Sequence, residues 1–215
     1  MAYLSEENVA NNRQQYLELL RSIKRTGVNV EGLIQYLENS DFFTAPASTT
    51  YHNSCKGGLC DHCLNVYDNI SMLYKNMISQ NITDDVNDTL IIVALLHDVS
   101  KINTYRETYR NKKVYSDTGS KSDNGGKFDW VSVPGYETRP VEERFILGNH
   151  EQNAEYIARC FIPLTQEESS AILHHMGGMA WDSAKDNIGE VFGRYTIALL
   201  LYLADMLSTY INEKE

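Results

Sequence analysis

The chain's capacity for chemistry lies in six histidines, His52, His62, His97, His150, His174 and His175, and in two aspartates set in apolar surroundings. His97 stands beside Asp98 at the end of the apolar run from Leu90 to Leu96, and Asp205 interrupts "IALLLYLADML". Burying an unpaired carboxylate costs several kcal/mol, so Asp205 calls for a cation. Imidazole and carboxylate together suit borderline divalent ions such as Mn, Fe, Co, Ni or Zn, and a carboxylate like that of Asp98 can bridge two of them. Such a pair generates hydroxide at neutral pH and neutralises charge on a phosphoryl group. Singly, each residue has a plain structural reading, a core histidine or a helix-capping aspartate. Together, His62, His97, Asp98, His150, the His174-His175 pair and Asp205 predict a metal site.

The elements that must position these residues are mostly helices. Apolar spacing predicts helices over residues 6–26 and 30–39. "DFFTAPASTTYHNSCKGG" then reads as a loop ending in Gly57-Gly58. A helix follows from about Leu59 to Ser79, and another from about Asp84 to Ser100 that ends in the His-Asp motif. Residues 103–135 are rich in Thr, Tyr, Val, Phe and Trp around the turn-forming "SDTGSKSDNGG", which predicts a β-hairpin or flap. Further helices are expected from about Gly148, from the Thr165 cap with Glu168 three residues on, and, as one long final element, over 189–215. The predicted fold class is mostly α, with one small β insertion and no internal repeat.

The chain has 215 residues, of which 42% are hydrophobic and 22% charged, enough for one domain with a real core. A formal charge of −10 argues against an extended nucleic-acid surface. It leaves room for a small anionic substrate, because metal charge overrides the global field locally. The first 20 residues show no basic region followed by an apolar core, and no stretch approaches 18 uncharged apolar residues. The expectation is a soluble, cytoplasmic protein without membrane partners. Cys60 and Cys63 form a C-x-x-C with no second pair downstream, which reads as small thiols on a buried helix face.

The order His62, His97-Asp98, Asp205 resembles the HD-domain superfamily of metal-dependent phosphohydrolases. "APASTTYHNSCKGGLCDHCLNV" is similar to the loop and helix that open the HD domain of the 3′–5′ exoribonuclease branch and related stand-alone proteins. "LLHDVSK" is similar to that family's His-Asp-x-x-Lys segment. The resemblance runs from about Ala45 to Glu213 and implies an HD helical bundle over 45–215, with residues 1–44 as helices packed on it. It also implies that His62, His97, Asp98 and Asp205 are the core metal ligands, with Asp98 as the bridge. His150 and His175, with His174 as neighbour, would serve a second divalent ion. Lys101 would contact phosphate or assist the leaving group, and His52 would stand on the substrate side. The chain departs from the pattern in two places. Only about 40 helical residues precede the domain where the exonuclease branch has a barrel, and Ser100 stands where many members have glycine.

The expected activity is hydrolysis of a phosphoester in a nucleotide or short oligonucleotide by a metal-bound hydroxide, with His52 or a metal-bound water protonating the leaving oxygen. Gly57 and Gly58, at a helix start, are expected to hold phosphate through backbone N–H groups. Arg106 and Arg110 of the hairpin, with Tyr105, Tyr109 and Trp130, are expected to cover the site. The same ligand types would also serve a di-iron oxygenase, and a nucleotide-binding protein without turnover is the third reading; each is compatible with a homo-oligomer.

Overall fold

The computed structural model describes residues 4–179 and 188–213. They form a mostly helical fold of eight α-helices with a small three-stranded antiparallel sheet. The helices are α1 (Glu6–Arg21), α2 (Val30–Glu38), α3 (Gly58–Met77), α4 (Asp84–Leu96), α5 (His150–Arg159), α6 (Gln166–Leu173), α7 (Ile188–Arg194) and α8 (Thr196–Leu207). The strands are β1 (Tyr105–Tyr115), β2 (Lys121–Asp123) and β3 (Gly126–Thr138).

Local chemistry sets the helix starts. The Thr83 hydroxyl accepts from Val86 N–H, and Asp84 and Asp85 favour the positive end of α4. Capping boxes open α5, from Asn149 and Gln152, and α6, from Thr165 and Glu168. From Leu90 to Leu96, α4 is apolar on every side and wholly buried, as a central helix must be. One core cluster joins α1 and α2 to α3, α4 and α5, through residues such as Tyr16, Leu33, Leu59, Leu95 and Ala154. A second joins other residues of α3 and α4, among them Ile70 and Val93, to α6 and α8. Helices α3 and α4 therefore form the middle layer. Residues of the first 44 pack directly on it, and the Tyr16 hydroxyl donates to the Leu95 carbonyl at 2.6 Å.

Polar contacts tie the layers at one further place. Asp88 of α4 is buried and accepts from the backbone N–H groups of Lys24 and Arg25, which fixes the turn after α1. The Arg25 guanidinium then spans to both carboxylate oxygens of Glu168 on α6, at 2.8 and 2.6 Å.

Three expected helix boundaries move. The first helix ends at Arg21, short of the expected residue 26, with Ser22 as its cap. The His-Asp helix ends at Leu96 with His97 as its cap, because Asp98 leaves helical backbone (φ −111°, ψ 13°). Residues Val99–Lys101 form a separate 3₁₀ turn. The expected long final helix is bent by 112° between α7 and α8, where Tyr195 is extended (φ −120°, ψ 97°), and it finishes in a π turn over Ser208–Asn212. The part of that expectation over residues 214–215 lies outside the described residues. The sheet runs to Thr138, three residues beyond the expected end of the flap. Its strand order is β1-β3-β2, with register from Tyr105↔Thr138 to Tyr115↔Phe128. No hairpin residue belongs to either helical core cluster. No single described helix is long and apolar enough to cross a membrane.

Candidate metal centre

Five elements converge on one buried cluster. Helix α3 brings His62 and the end of α4 brings His97 and Asp98. His150 comes from the first position of α5, His175 from just beyond α6, and Asp205 from α8. His62, His97, Asp98, His175 and Asp205 are each 6% exposed or less, a degree of burial that polar groups tolerate only when paired or bound. Their ligand atoms fall into overlapping groups able to hold a metal ion: His62, His97 and Asp98; His97, His175 and Asp205; and Asp98, His150 and His175.

The distances give Asp98 a divided role. Its Oδ2 lies 3.5 Å from His62 Nε2 and 3.4 Å from His97 Nε2, whereas its Oδ1 faces His175 Nε2 at 3.7 Å. His62 Nε2 is also 3.3 Å from His97 Nε2 and 3.3 Å from Asp205 Oδ1. The opposite ring nitrogens are already engaged. His97 Nδ1 donates to the Ala94 carbonyl at 2.8 Å and His175 Nδ1 to the Ile172 carbonyl at 2.8 Å, which leaves Nε2 of each as a lone pair. His150 Nδ1 lies 3.2 Å from Glu151 Oε2. His62 Nδ1 meets both oxygens of Glu213, at 3.0 and 3.1 Å. A carboxylate or carbonyl hydrogen-bonded behind the ring, as at His62, His97 and His175, is the arrangement that orients metal-binding imidazoles; Glu151 Oε2 makes no such bond to His150.

Two atoms test whether this donor set suits a cation. Asp98 Oδ1 and His175 Nε2 are both buried with no hydrogen-bond partner among the described residues. An acceptor oxygen facing an imidazole lone pair is unfavourable unless a positive charge lies between them, so the residues fit a metal ion.

The electrostatics agree. Burial, and then the neighbouring His97, push His175 down to about 3, so it is a neutral donor at physiological pH. Burial also lowers His150. On His62 burial works the other way from its neighbours, but the carboxylates of Glu213 and Asp205 carry it up to about 10. Without a metal, a proton on His62 therefore supplies the positive charge the carboxylates need. Burial opposes ionisation of Asp98 and Asp205, yet the Lys101 ammonium holds the first well below the usual carboxylate range and His62 holds the second there.

Other residues singled out in the sequence take different places. Lys101 is on the 3₁₀ turn, and its Nζ donates to Asp98 Oδ2 at 2.7 Å. His52 lines the cavity in front of the cluster, with Nδ1 2.7 Å from Glu213 Oε2. Burial lowers its pKa, so the neutral ring donates from Nδ1 and keeps Nε2 as an acceptor. His174 turns its Nδ1 to the Ser170 carbonyl at 2.8 Å and belongs to none of the three ligand groups.

Gly57 and Gly58 do not line that cavity. Gly57 has φ +79°, and a Cβ on Gly58 would stand 2.0 Å from the Asn53 carbonyl oxygen, so both serve close packing at the start of α3. Their N–H groups are spent on the Thr44 and Cys55 carbonyls, which leaves no phosphate cradle. Arg106 pairs across the sheet with Glu137, and Arg110 staples the hairpin to the Thr49 and Tyr136 carbonyls. Neither lines the cavity. Cys60 and Cys63 are buried in the core beside Leu59 and Leu64.

Sequence reasoning passed over Glu213, Glu151 and Arg144. Glu213 follows Asp205 by eight residues, just past the π turn, and no periodicity marks it. Glu151 and Arg144 are close enough to His150 in sequence to have been candidates.

Compared with known proteins, the chain matches no family model, no curated protein and no solved structure.

Proposed function

We propose that this chain is a metal-dependent phosphohydrolase of the HD type, acting on a phosphoester of a nucleotide or short oligonucleotide. One observation carries the reading. The two oxygens of Asp98 face two different imidazole sets, and the Oδ1 side is buried without a hydrogen-bond partner among the described residues. A carboxylate divided in this way suits a bridge between two cations. The order of histidines and aspartates that resembles the HD superfamily supports the same reading.

His62, His97, Asp98 and Asp205 would hold one divalent ion, and His150 and His175 with Asp98 a second; Mn, Fe, Co, Ni and Zn all suit these donors. Such ions, when bound, withdraw charge from a phosphoryl oxygen and lower the pKa of water toward neutrality. The protein's own groups do the rest. Lys101 holds a positive charge at the cavity wall, where negative charge develops on the phosphoryl oxygens. His52 keeps Nε2 as a proton acceptor, so it takes a proton from the entering water rather than giving one to the leaving oxygen. The leaving oxygen is then protonated by solvent.

The test is a screen of the purified protein with each candidate metal against mono-, di-, tri- and cyclic nucleotides, short oligonucleotides and a generic phosphodiester. Release of phosphate or a nucleoside monophosphate, abolished in Asp98→Ala, is expected. No release with any metal contradicts the reading. Oxygen uptake by iron-loaded protein would move it to an oxygenase, and nucleotide-raised thermal stability without turnover to a binding protein.

A further inference from the structure

A cavity of about 600 Å³ opens in front of the cluster and is lined by Asp98, Lys101 and His150 among others. Arg144 lines the same cavity, six residues before His150 in the sequence, and its Nε is buried with no hydrogen-bond partner among the described residues. Neighbouring arginines are differently placed. Arg106 is on Glu137, Arg110 on two backbone carbonyls, and Arg139 on the Tyr105 carbonyl and Glu143. A guanidinium N–H buried without an acceptor is costly, and its planar fork matches the oxygens of a phosphoryl group.

Among the described residues lining the cavity, no carboxylate is free to pair with it. The only carboxylates among its described lining residues are Asp98 and Asp205, and both are turned to imidazoles of the cluster. In a chain of net charge −10, two cationic side chains stand on this wall, Lys101, which is held by Asp98, and Arg144, which no lining carboxylate meets. The same lining presents exposed aromatic side chains, Tyr51 at 84%, Tyr210 at 60% and Phe145 at 47% exposure. Aromatic faces open to solvent accept a stacked base without regard to its identity.

We infer that Arg144 anchors a second phosphoryl group of the substrate whose scissile phosphoester sits at the cluster. The substrate class is then a single nucleotide bearing two phosphoryl groups, with its base on the aromatic rim, and not a nucleoside monophosphate. This rests on the phosphohydrolase reading, which it narrows. The second phosphoryl group accepts charge-assisted hydrogen bonds from the guanidinium and satisfies Nε.

Calorimetric titration of the full chain, as purified, tests it. The probes are nucleoside 3′,5′-bisphosphates, non-hydrolysable α,β-methylene nucleoside diphosphates and nucleoside monophosphates, each in all four base series. Wild type is expected to bind at least one doubly phosphorylated series about tenfold or more tighter than its monophosphate, and Arg144→Met to lose that preference. Arg144→Lys keeps the charge but lacks the fork and Nε, so it is expected to lose most of the preference; it also stands in if Arg144→Met fails to fold. A wild type with no preference in any series, or a preference that survives both substitutions, overturns the inference. Metal content and turnover measured on the same samples separate the two readings. A preference lost with Arg144 in protein that binds no metal strikes the phosphohydrolase reading alone. A preference that persists in metal-loaded, active variants strikes the Arg144 anchor alone.

Discussion

At the scale of single residues, the cluster depends on what stands behind each ring. Glu213 is the clearest case, since its carboxylate holds His62 Nδ1, His52 Nδ1 and the Asn65 amide at once. His62, His52 and Asn65 bring it down to about 2 against the effect of burial, so it is ionised throughout the physiological range. Replacing it with Gln removes the charge that keeps His62 turned toward Asp98 and Asp205. Metal affinity in Glu213→Gln is expected to fall roughly 10- to 100-fold, read by competition with a chelating dye, while Glu213→Asp recovers part of it. An unchanged affinity would reduce Glu213 to a packing role. Ser100 has a comparable but weaker part. Its hydroxyl donates to the His150 carbonyl at 2.8 Å, joining the 3₁₀ turn to the start of α5 where His150 stands.

At the scale of elements, helices are held in register by a few buried polar ties, and the hairpin stands apart from them. Glu168 is fully buried and joins the Thr165 cap, Thr89 and Arg25, so the turn after α1 meets α4 and α6 on one carboxylate. Burial opposes its ionisation, but Arg25 and the Thr165 N–H hold it below its usual 4.5. The stabilisation is therefore fully present above about pH 4.5 and lost as pH falls through the lower folded value. Glu168→Gln is expected to cost roughly 3 kcal/mol at pH 7, measured by urea unfolding, with the difference from wild type shrinking below pH 4.5. A pH-independent difference would contradict the pairing. Replacing residues 108–135 with a short Gly-Ser turn removes no residue of the helical core clusters. The expected change in Tm is under about 4 °C with metal content unchanged, and a collapse of the fold would show that the hairpin is part of the core. Helix starts were legible because caps are local chemistry: Thr165 caps where the sequence signal points, Thr83 stands just before the expected start at Asp84, and Asn149 just after the one at Gly148. Helix ends were less so. Asp98 leaves the helix to face the imidazoles, and Tyr195 breaks the last run without a proline to announce it.

For the whole molecule, two core clusters share α3 and α4, and the polar cluster lies where both helices meet α5, α6 and α8. His62, His97-Asp98, His150, His175 and Asp205 were legible as a set because ionisable groups in apolar runs need a partner, and the fold brings them together. Beyond the cluster, the walls of the cavity were legible only at His52, Lys101 and Tyr105. Gly57-Gly58 and the hairpin arginines satisfy backbone and cross-strand needs that no local pattern reveals, while Arg144 reaches the cavity from an irregular segment between the sheet and α5. The central claim is that the buried cluster is a metal centre, and elemental analysis of protein purified without chelators tests it most directly. Wild type is expected to retain roughly two equivalents of a divalent transition metal, and Asp98→Ala, folded by circular dichroism, to lose nearly all of it. Wild type that stays metal-free after equilibration with Mn, Fe, Co, Ni and Zn, or Asp98→Ala that keeps its full metal content, would contradict the account.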